Sequence, residues 1–498
     1  MKLKGVNIMD VPNPEQGSYF SCGSQSVLAE NGYVSNPSCV SIGNHVNVQA
    51  GYHWRIKGAD SGNAPSLTIK DGCSIGAGFH VNSNHKVHIG RNVQIEPYVI
   101  ISDRTVRPGF PSWVSTSEEM NSPETLEVGD GCVLRAHSVI AGNVNIGKFS
   151  IVELNSVVVE DVPSFCTVSG NPAVVTKVFI PETLEWVIVH GEEETKAALE
   201  RRREHPLLSI VIPTYNRAHH LNNNLQSIYS QICDEDLVEV VVTDNHSQDT
   251  TQEVGESYTK LFSSFRYSRN EQNIGFDLNM AHVSSLARGS FIKLNGDDDY
   301  WLDGALIDFI GIVLNNLDCA LFHTNQLDTD GQVVTMEGSD LFLTHTSNDA
   351  VHMTMNTMKR SLWSQIEDTT KYASTGIIHM YWLYDILALD PKFCIINQKL
   401  YYFAGVAPEG YNVGRMVIKS ALDVFLHYEG RTLKSETIRE EKKKRVYGVI
   451  IPLYDIIVRY GYSSDISNYE DYYTEYYANE DYYEDGLMKL REISARRL

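Results

Sequence analysis

Between residues 128 and 158 the apolar residues fall six apart, at Val128, Leu134, Ile140, Ile146, Val152 and Val158. A helix repeats at about 3.6 residues and a simple strand at about 2, so neither explains this spacing. A strict six calls for short flat strands joined by tight turns and stacked as a coil. One apolar residue per strand then points inward. The spacing recurs at Ile69, Ile75 and Val81, at Ile89, Ile95 and Ile101, and briefly at Ile42 and Val48. Small or β-branched residues follow four places on, at Cys132, Ser138, Val144, Ser150 and Ser156. Gly43, Gly76, Gly90, Gly129 and Gly147 directly follow their apolar residues, where the backbone is expected to bend at a corner. One turn cannot bury its own face, so stacking must supply the core. The stretches 51–66 and 103–125 break the pattern and are expected to project as loops, where function concentrates.

This region, about residues 20–180, resembles the hexapeptide-repeat acyltransferases. The exit fits as well: Asp161-Val162-Pro163, then Gly170-Asn171-Pro172-Ala173. The resemblance implies a left-handed parallel β-helix, a homotrimer, and acetyl-CoA near Asn171. Two departures stand out. Related sugar acetyltransferases carry a D-H-x-H segment where this chain has Asp103-Arg104-Thr105-Val106. They also carry G-A-G-S-V-V where this chain has Glu153-Leu154-Asn155-Ser156-Val157-Val158. The base for an acyltransferase would then be another histidine, with His80, His85, His88 and His137 available, since imidazole titrates near neutrality. Each is equally explained as a surface or turn histidine. Acyl transfer and a catalytically inactive scaffold, for trimerisation or glycan binding, therefore both stay open.

Residues 181–206 place acids first and bases last, which suits a short helix linking two domains. Arg201-Arg202-Arg203 is expected on its solvated face.

From about residue 207 the pattern changes. Leu208-Ser209-Ile210-Val211-Ile212 ends in Pro213, Val238–Val242 ends in Thr243-Asp244-Asn245, and Ser290–Leu294 ends in Asn295-Gly296-Asp297-Asp298-Asp299. Helical stretches alternate with these strands, which predicts a parallel sheet covered by helices. Ligands bind such sheets at the carboxyl ends of the strands, where all three polar clusters fall. Three adjacent carboxylates repel one another unless a cation is present. Hard oxygen ligands suit Mg²⁺ or Mn²⁺, and a cation would neutralise the diphosphate of a nucleotide sugar. In an extended segment Asp297 and Asp299 share one side and would face the metal, leaving Asp298 for the sugar or ribose.

Together these residues resemble the family 2 glycosyltransferases of the GT-A fold. The matching segments are Pro213-Thr214-Tyr215-Asn216-Arg217, Asp244-Asn245-His246-Ser247-Gln248-Asp249, Asn273-Ile274-Gly275-Phe276 with Asn279, Ala287-Arg288-Gly289, and the triple aspartate. By resemblance, the Thr214–Arg217 turn and Asp244 hold base and ribose, Asn273 and Asp297 lie beside the nucleotide, and Asp299 contacts the metal. Inverting members use a carboxylate base roughly 80 residues past the metal motif, often in an E-D pair. No such pair occurs between Ser374 and Asp385, which makes His379 or Asp385 the candidate base. The absence of Q-x-x-R-W and of membrane spans points away from processive synthesis. Single-sugar transfer to a glycan or lipid-linked oligosaccharide, in surface-polysaccharide or O-antigen assembly, is the expected role.

Residues 415–465 are expected to be helical, either touching a membrane beside a lipid-linked acceptor or packing on the catalytic domain. The Tyr- and acid-rich segment 467–486 reads as a carbohydrate-binding surface or as a packing arm. The formal net charge of −22 excludes a nucleic-acid partner. Eight scattered cysteines without a C-x-x-C pair argue against zinc and disulfides. With no signal-peptide core, a cytoplasmic protein is expected, at the inner face of the membrane if the tail binds lipid. The predicted architecture is multidomain: a β-helix over 1–180, a linker over 181–206, a Rossmann-like GT-A α/β domain over 207–414, and a helical extension over 415–498.

Overall fold

A computed structural model describes residues 19–57, 65–103, 125–232, 237–326, 331–347, 349–404, 412–460 and 465–496. The chain divides into two compact units, Met1–Glu204 and His205–Leu498.

In the first unit the chain visits three sheets in rotation, and every third strand joins the same sheet. Successive strands of each sheet pair in parallel, as Ile89 with Val128, Ile95 with Leu134, and Ile101 with Ile140. The six-residue ladder is the inside of this coil. Ile69, Ile75, Val81, Ile89, Ile95, Ile101, Val128, Leu134, Ile140, Ile146, Val152 and Val158 are all buried. Cys132, Ser138, Val144, Ser150 and Ser156 are buried too. An antiparallel hairpin, Cys166–Gly170 with Ala173–Ile180, extends one sheet, and Glu185–Ile188 adds an edge strand.

The glycines after the ladder have a different role from the one expected. Gly147 does not adopt a left-handed backbone; a Cβ there would lie 2.3 Å from the Ser164 amide nitrogen of the next turn. Close approach between stacked turns, not bending, requires glycine. The left-handed corners fall two residues later and are taken as readily by His137, Phe149 and Asn155.

The expected linker belongs to the first unit. Its helix, Gly191–Glu204, packs on the strand Ala173–Ile180. Within the basic run Arg202 is buried, and its guanidinium donates to the Ser164 carbonyl at 2.5 Å. The charge run is therefore solvated only at its flanks. The seven described cysteines are free.

The second unit is built on an eight-stranded sheet. Its strands are β1 (Leu208–Thr214), β2 (Val238–Asp244), β3 (Phe265–Arg269), β4 (Phe291–Leu294), β5 (Leu321–Thr324), β6 (Gln332–Glu337), β7 (Asn356–Lys359) and β8 (Lys392–Asn397), ordered β3-β2-β1-β4-β7-β5-β8-β6. β3, β2, β1 and β4 run parallel; β7 is antiparallel to β4. Every residue of β1, β2 and β4 is buried, as in a sheet covered on both faces. The connecting helix Ala218–Tyr229 buries Leu221, Leu225 and Ile228, one helical face. Strand order reverses between β1 and β4, which opens a crevice at their carboxyl ends.

The helices within 415–460 and 469–495 share one hydrophobic core with the helix Ile378–Leu389. Tyr469, Tyr473 and Tyr477, four apart on the helix Tyr469–Tyr477, are buried in it. Their spacing makes an apolar stripe, so these tyrosines pack inward and are not an exposed carbohydrate surface. Among the described residues no helix is long and apolar enough to cross a membrane.

Candidate donor site

The three polar clusters meet at the crevice between β1 and β4. Pro213 and Thr214 end β1 inside the protein, while Tyr215 turns outward. The Thr214 hydroxyl crosses the crevice and donates to Asp297 at 2.8 Å. Arg217 reaches the same place, bridging Asp297 at 3.2 Å and Asp298 at 2.7 Å. Asn216 takes a left-handed conformation, and its side chain accepts the Gln248 amide at 2.6 Å. That bond ties the turn after β1 to the turn after β2.

Asp244 is fully buried. Its carboxylate accepts the Ser247 amide and the Tyr267 hydroxyl, each at 2.8 Å. It is thus engaged in shaping the β2 turn. Beside it lies an amide network. Asn270 donates to Asn245 and Asn279, and Asn245 donates to Asn273 at 2.8 Å. Asn273 itself is exposed and accepts the Gly275 amide.

The triple aspartate is not an extended segment. Asp297 and Asp298 lie in a turn, and a strand begins only at Asp299, paired with Phe403. Strict alternation therefore fails: Asp297 and Asp298 share Arg217, whereas Asp299 accepts the Thr354 hydroxyl. Thr354 also accepts the Gly296 amide at 2.8 Å.

Burial decides the electrostatics here. It pushes Asp297 up to about 7, against the pull of Arg217. It raises Asp299 as well, against its hydrogen bond from Thr354. Behind them Lys293 is wholly buried. Its ammonium donates to the Leu294 and Thr354 carbonyls and lies 4.9 Å from the Tyr401 ring centre. Burial lowers its pKa to about 7.

Among the described residues no three His, Cys, Asp or Glu side chains form a ready-made metal cage. The donor set still fits a cation that arrives with a diphosphate. Mg²⁺ or Mn²⁺ at such sites takes one or two carboxylates, and phosphate and water oxygens complete the shell. Asp297 and Asp299 are buried carboxyls whose ionised form is disfavoured by burial. Such a cation would stabilise that form. Because Asp297 must lose its proton first, Mn²⁺ binding should weaken as pH falls from about 8 to about 6, by roughly tenfold per unit below the pKa. Titration of free Mn²⁺ by electron paramagnetic resonance reads this directly; an affinity independent of pH would contradict it.

The two expected bases lie elsewhere. His379 is buried, with Nε2 donating to the carbonyls of Ala350 and Val351 at 3.2 and 3.0 Å, and burial lowers its pKa to about 4. A proton acceptor for a sugar hydroxyl needs a free ring nitrogen within reach, and its buried surroundings deny that. Asp385 accepts the Tyr428 hydroxyl at 2.5 Å inside the packing of the C-terminal helices. Distance along the chain, on which both expectations rest, is not preserved by the intervening helix and turns. Thr354, Lys293 and His352 had no sequence signal. His352 is exposed, rests on the Phe403 ring and acts electrostatically on the Asp299 carboxyl.

In the first unit the acyltransferase candidates are dispersed. His88 lies on a strand of one sheet, paired with Glu127. His80 starts a strand of another sheet and packs near His53. His137 stacks on Tyr98 at a corner. His85 sits in a turn whose amides, with that of Asn84, are held by the buried Asp103 carboxylate. Asn171 is exposed at the hairpin tip. Arg104, Thr105 and Val106 lie outside the described residues.

The buried strands β3, β2, β1 and β4 run parallel, and the polar turns gather where their order reverses, the place where open α/β sheets bind ligands. Residues 209–343 match the family described as Glycosyl transferase family 2. The abequosyltransferase RfbV of Salmonella typhimurium is 36% identical over 94 residues, covering 19% of this chain and 28% of that protein. The GalNAc(5)-diNAcBac-PP-undecaprenol beta-1,3-glucosyltransferase of Campylobacter jejuni is 33% identical over 102 residues, 20% of this chain and 32% of its own length. The chain thus spans about a third or less of these relatives. The crystal structure of S. aureus TarS 1–349 with UDP is 16% identical, with a TM-score of 0.40, covering 58% of this chain and 91% of that one.

Proposed function

We propose that the second unit transfers a sugar from a nucleotide-sugar donor, with Mn²⁺ or Mg²⁺, to a glycan or lipid-linked oligosaccharide in surface-polysaccharide or O-antigen synthesis. The contact of Thr214 and Arg217 with Asp297 and Asp298 across the β1–β4 crevice carries this reading. The name of the Campylobacter jejuni relative, a glucosyltransferase acting on an undecaprenol-linked oligosaccharide, supports the acceptor class. We assign Asn273 and the turn at Asn216 to the nucleoside, and Asp244 acts by holding the turn after β2 to which Asn216 is bonded. Asp297 and Asp299 would hold the cation, which offsets the charge of the leaving diphosphate.

As the acceptor oxygen bonds to the sugar C1, the bond from C1 to the diphosphate breaks and the hydroxyl proton passes to a base. His352, the exposed imidazole beside Asp299, is our candidate in place of His379 and Asp385. His352→Ala should lower turnover about 100-fold while nucleotide affinity stays within about twofold. Unchanged turnover would return the role to another group. The reading as a whole is tested by screening UDP-, GDP- and dTDP-sugars for Mn²⁺- or Mg²⁺-dependent binding. If none binds, it fails.

We read the first unit as a β-helix that assembles the chain as a homotrimer and does not transfer acyl groups. The dispersal of its histidines favours the scaffold. Acetyl-CoA should release no thiol with sugar acceptors, and sedimentation should give a trimer; thiol release or a monomer would reverse this. The helical extension serves by packing, and a contact with anionic vesicles would be peripheral.

A further inference from the structure

The Asn273–Phe276 motif opens the helix Phe276–Ser285. Its second residue, Asp277, is buried and faces away from the amide network. One carboxylate oxygen accepts the amides of Ser374 and Gly376 at 2.7 and 2.8 Å, and the other accepts that of Ile378 at 3.3 Å. Those amides lie about a hundred residues further along the chain, at the start of the helix Ile378–Leu389. A carboxylate at a helix N-terminus satisfies donors that have no intrahelical partner. The segment it grips is otherwise costly, since Ser374 adopts a φ of 94°, left-handed for a residue with a side chain. Arg415 and Ser420 hold the same segment through the Ser374 and Thr375 carbonyls.

The next residue continues the connection. His379 donates to the carbonyls of Ala350 and Val351. The turn that follows presents Thr354, whose hydroxyl holds Asp299 and accepts the Gly296 amide. Hydrogen bonds linked by short stretches of backbone therefore run from the nucleoside-side motif, through the first turn of one helix, to the cation-side aspartate.

We infer that Asp277 and His379 are positioning residues that couple the nucleoside-binding motif to Asp299, so that the nucleotide and the cation are bound cooperatively. This rests on the donor-site reading given above. Asp277 fits the role because it sits on the helix that the nucleoside-side motif opens and holds the backbone of the segment 374–378. His379 fits because its buried ring can only hold the Ala350–Thr354 turn. Two groups thus take on a function that neither a base nor a ligand would have.

The experiment measures binding of UDP, GDP and dTDP to the full chain by calorimetry, with and without Mn²⁺. In wild type, Mn²⁺ should raise the affinity for at least one of them. Asp277→Asn keeps the size of the side chain but cannot accept three amides. It should leave metal-free nucleotide affinity within about twofold and cut the Mn²⁺ enhancement at least about fivefold, a coupling loss near 1 kcal/mol. His379→Phe, at the other end of the path, should show the same split and carries the test if Asp277→Asn does not fold. A variant that keeps the full Mn²⁺ enhancement overturns the inference. So does one that loses metal-free affinity in equal measure, because a merely structural role would weaken both. If wild type binds no nucleotide, the donor-site reading itself has failed.

Discussion

Asp299→Ala should abolish Mn²⁺-dependent turnover of the nucleotide sugar, by at least about a thousandfold, or about 4 kcal/mol of transition-state stabilisation. The size follows from its position. Asp299 is a buried carboxyl beside the half-buried Asp298, in surroundings where a cation is worth far more than in water. Folding should survive the change. Burial already disfavours the ionised form, and alanine leaves only the Thr354 hydroxyl without its acceptor. Asp299→Asn separates shape from charge: it can keep the bond to Thr354 but should still lose most Mn²⁺ dependence. Calorimetry of Mn²⁺ binding beside a thermal melt decides the matter. Wild-type turnover in Asp299→Ala would remove the aspartate from the chemistry.

The second large effect is a gain in stability. Lys293→Met should stabilise the protein by about 1–4 kcal/mol near neutral pH, as replacing buried charge by an apolar side chain of similar length often does. The sign follows from its pKa. Burial holds Lys293 at about 7, below its unfolded value, so folding opposes the charged form at any pH below that. The penalty fades as pH rises from about 7 towards about 10, where the unfolded lysine also loses its proton. The gain from Lys293→Met should therefore be full at or below neutrality and shrink in alkali. Two carbonyls, of Leu294 and Thr354, lose their donor, which trims the gain. Nucleotide binding with Mn²⁺ should weaken, because the cation that favours ionised Asp299 is gone. Denaturant unfolding at several pH values measures the first effect; a loss of stability below neutrality would refute it.

The ladder from Ile69 to Val158 was legible because each inward residue is fixed by a local period, independent of anything far along the chain. The strand ends at Thr214, Asp244 and Asn295 were legible for a similar reason, since a buried strand and the polar turn after it are adjacent in sequence. What escaped notice was long-range. Thr354 and His352 reach the crevice only because β7 lies antiparallel beside β4, and Lys293, on β4 itself, meets the Thr354 carbonyl through the same pairing. Their neighbours in sequence do not announce that pairing. The misplacement of His379 and Asp385 has the same origin, because a distance along the chain was used for a position in space. Arg202 shows the reverse error, where a local charge run concealed one side chain committed to the Ser164 carbonyl.

The rotating three-sheet coil also bears on how the chain can change over generations. Each turn touches only the turns before and after it, so its free energy is close to a sum of nearest-neighbour terms. Whole turns of three strands can be gained or lost without redesigning the rest, whereas loss of a single strand would shift every later residue onto the wrong sheet. The hairpin Cys166–Ile180 terminates the stack with antiparallel pairing, so turns cannot be added beyond that hairpin. Length in this unit is therefore heritable in steps of one full turn, while the donor crevice, assembled from segments a hundred residues apart, has no comparable freedom.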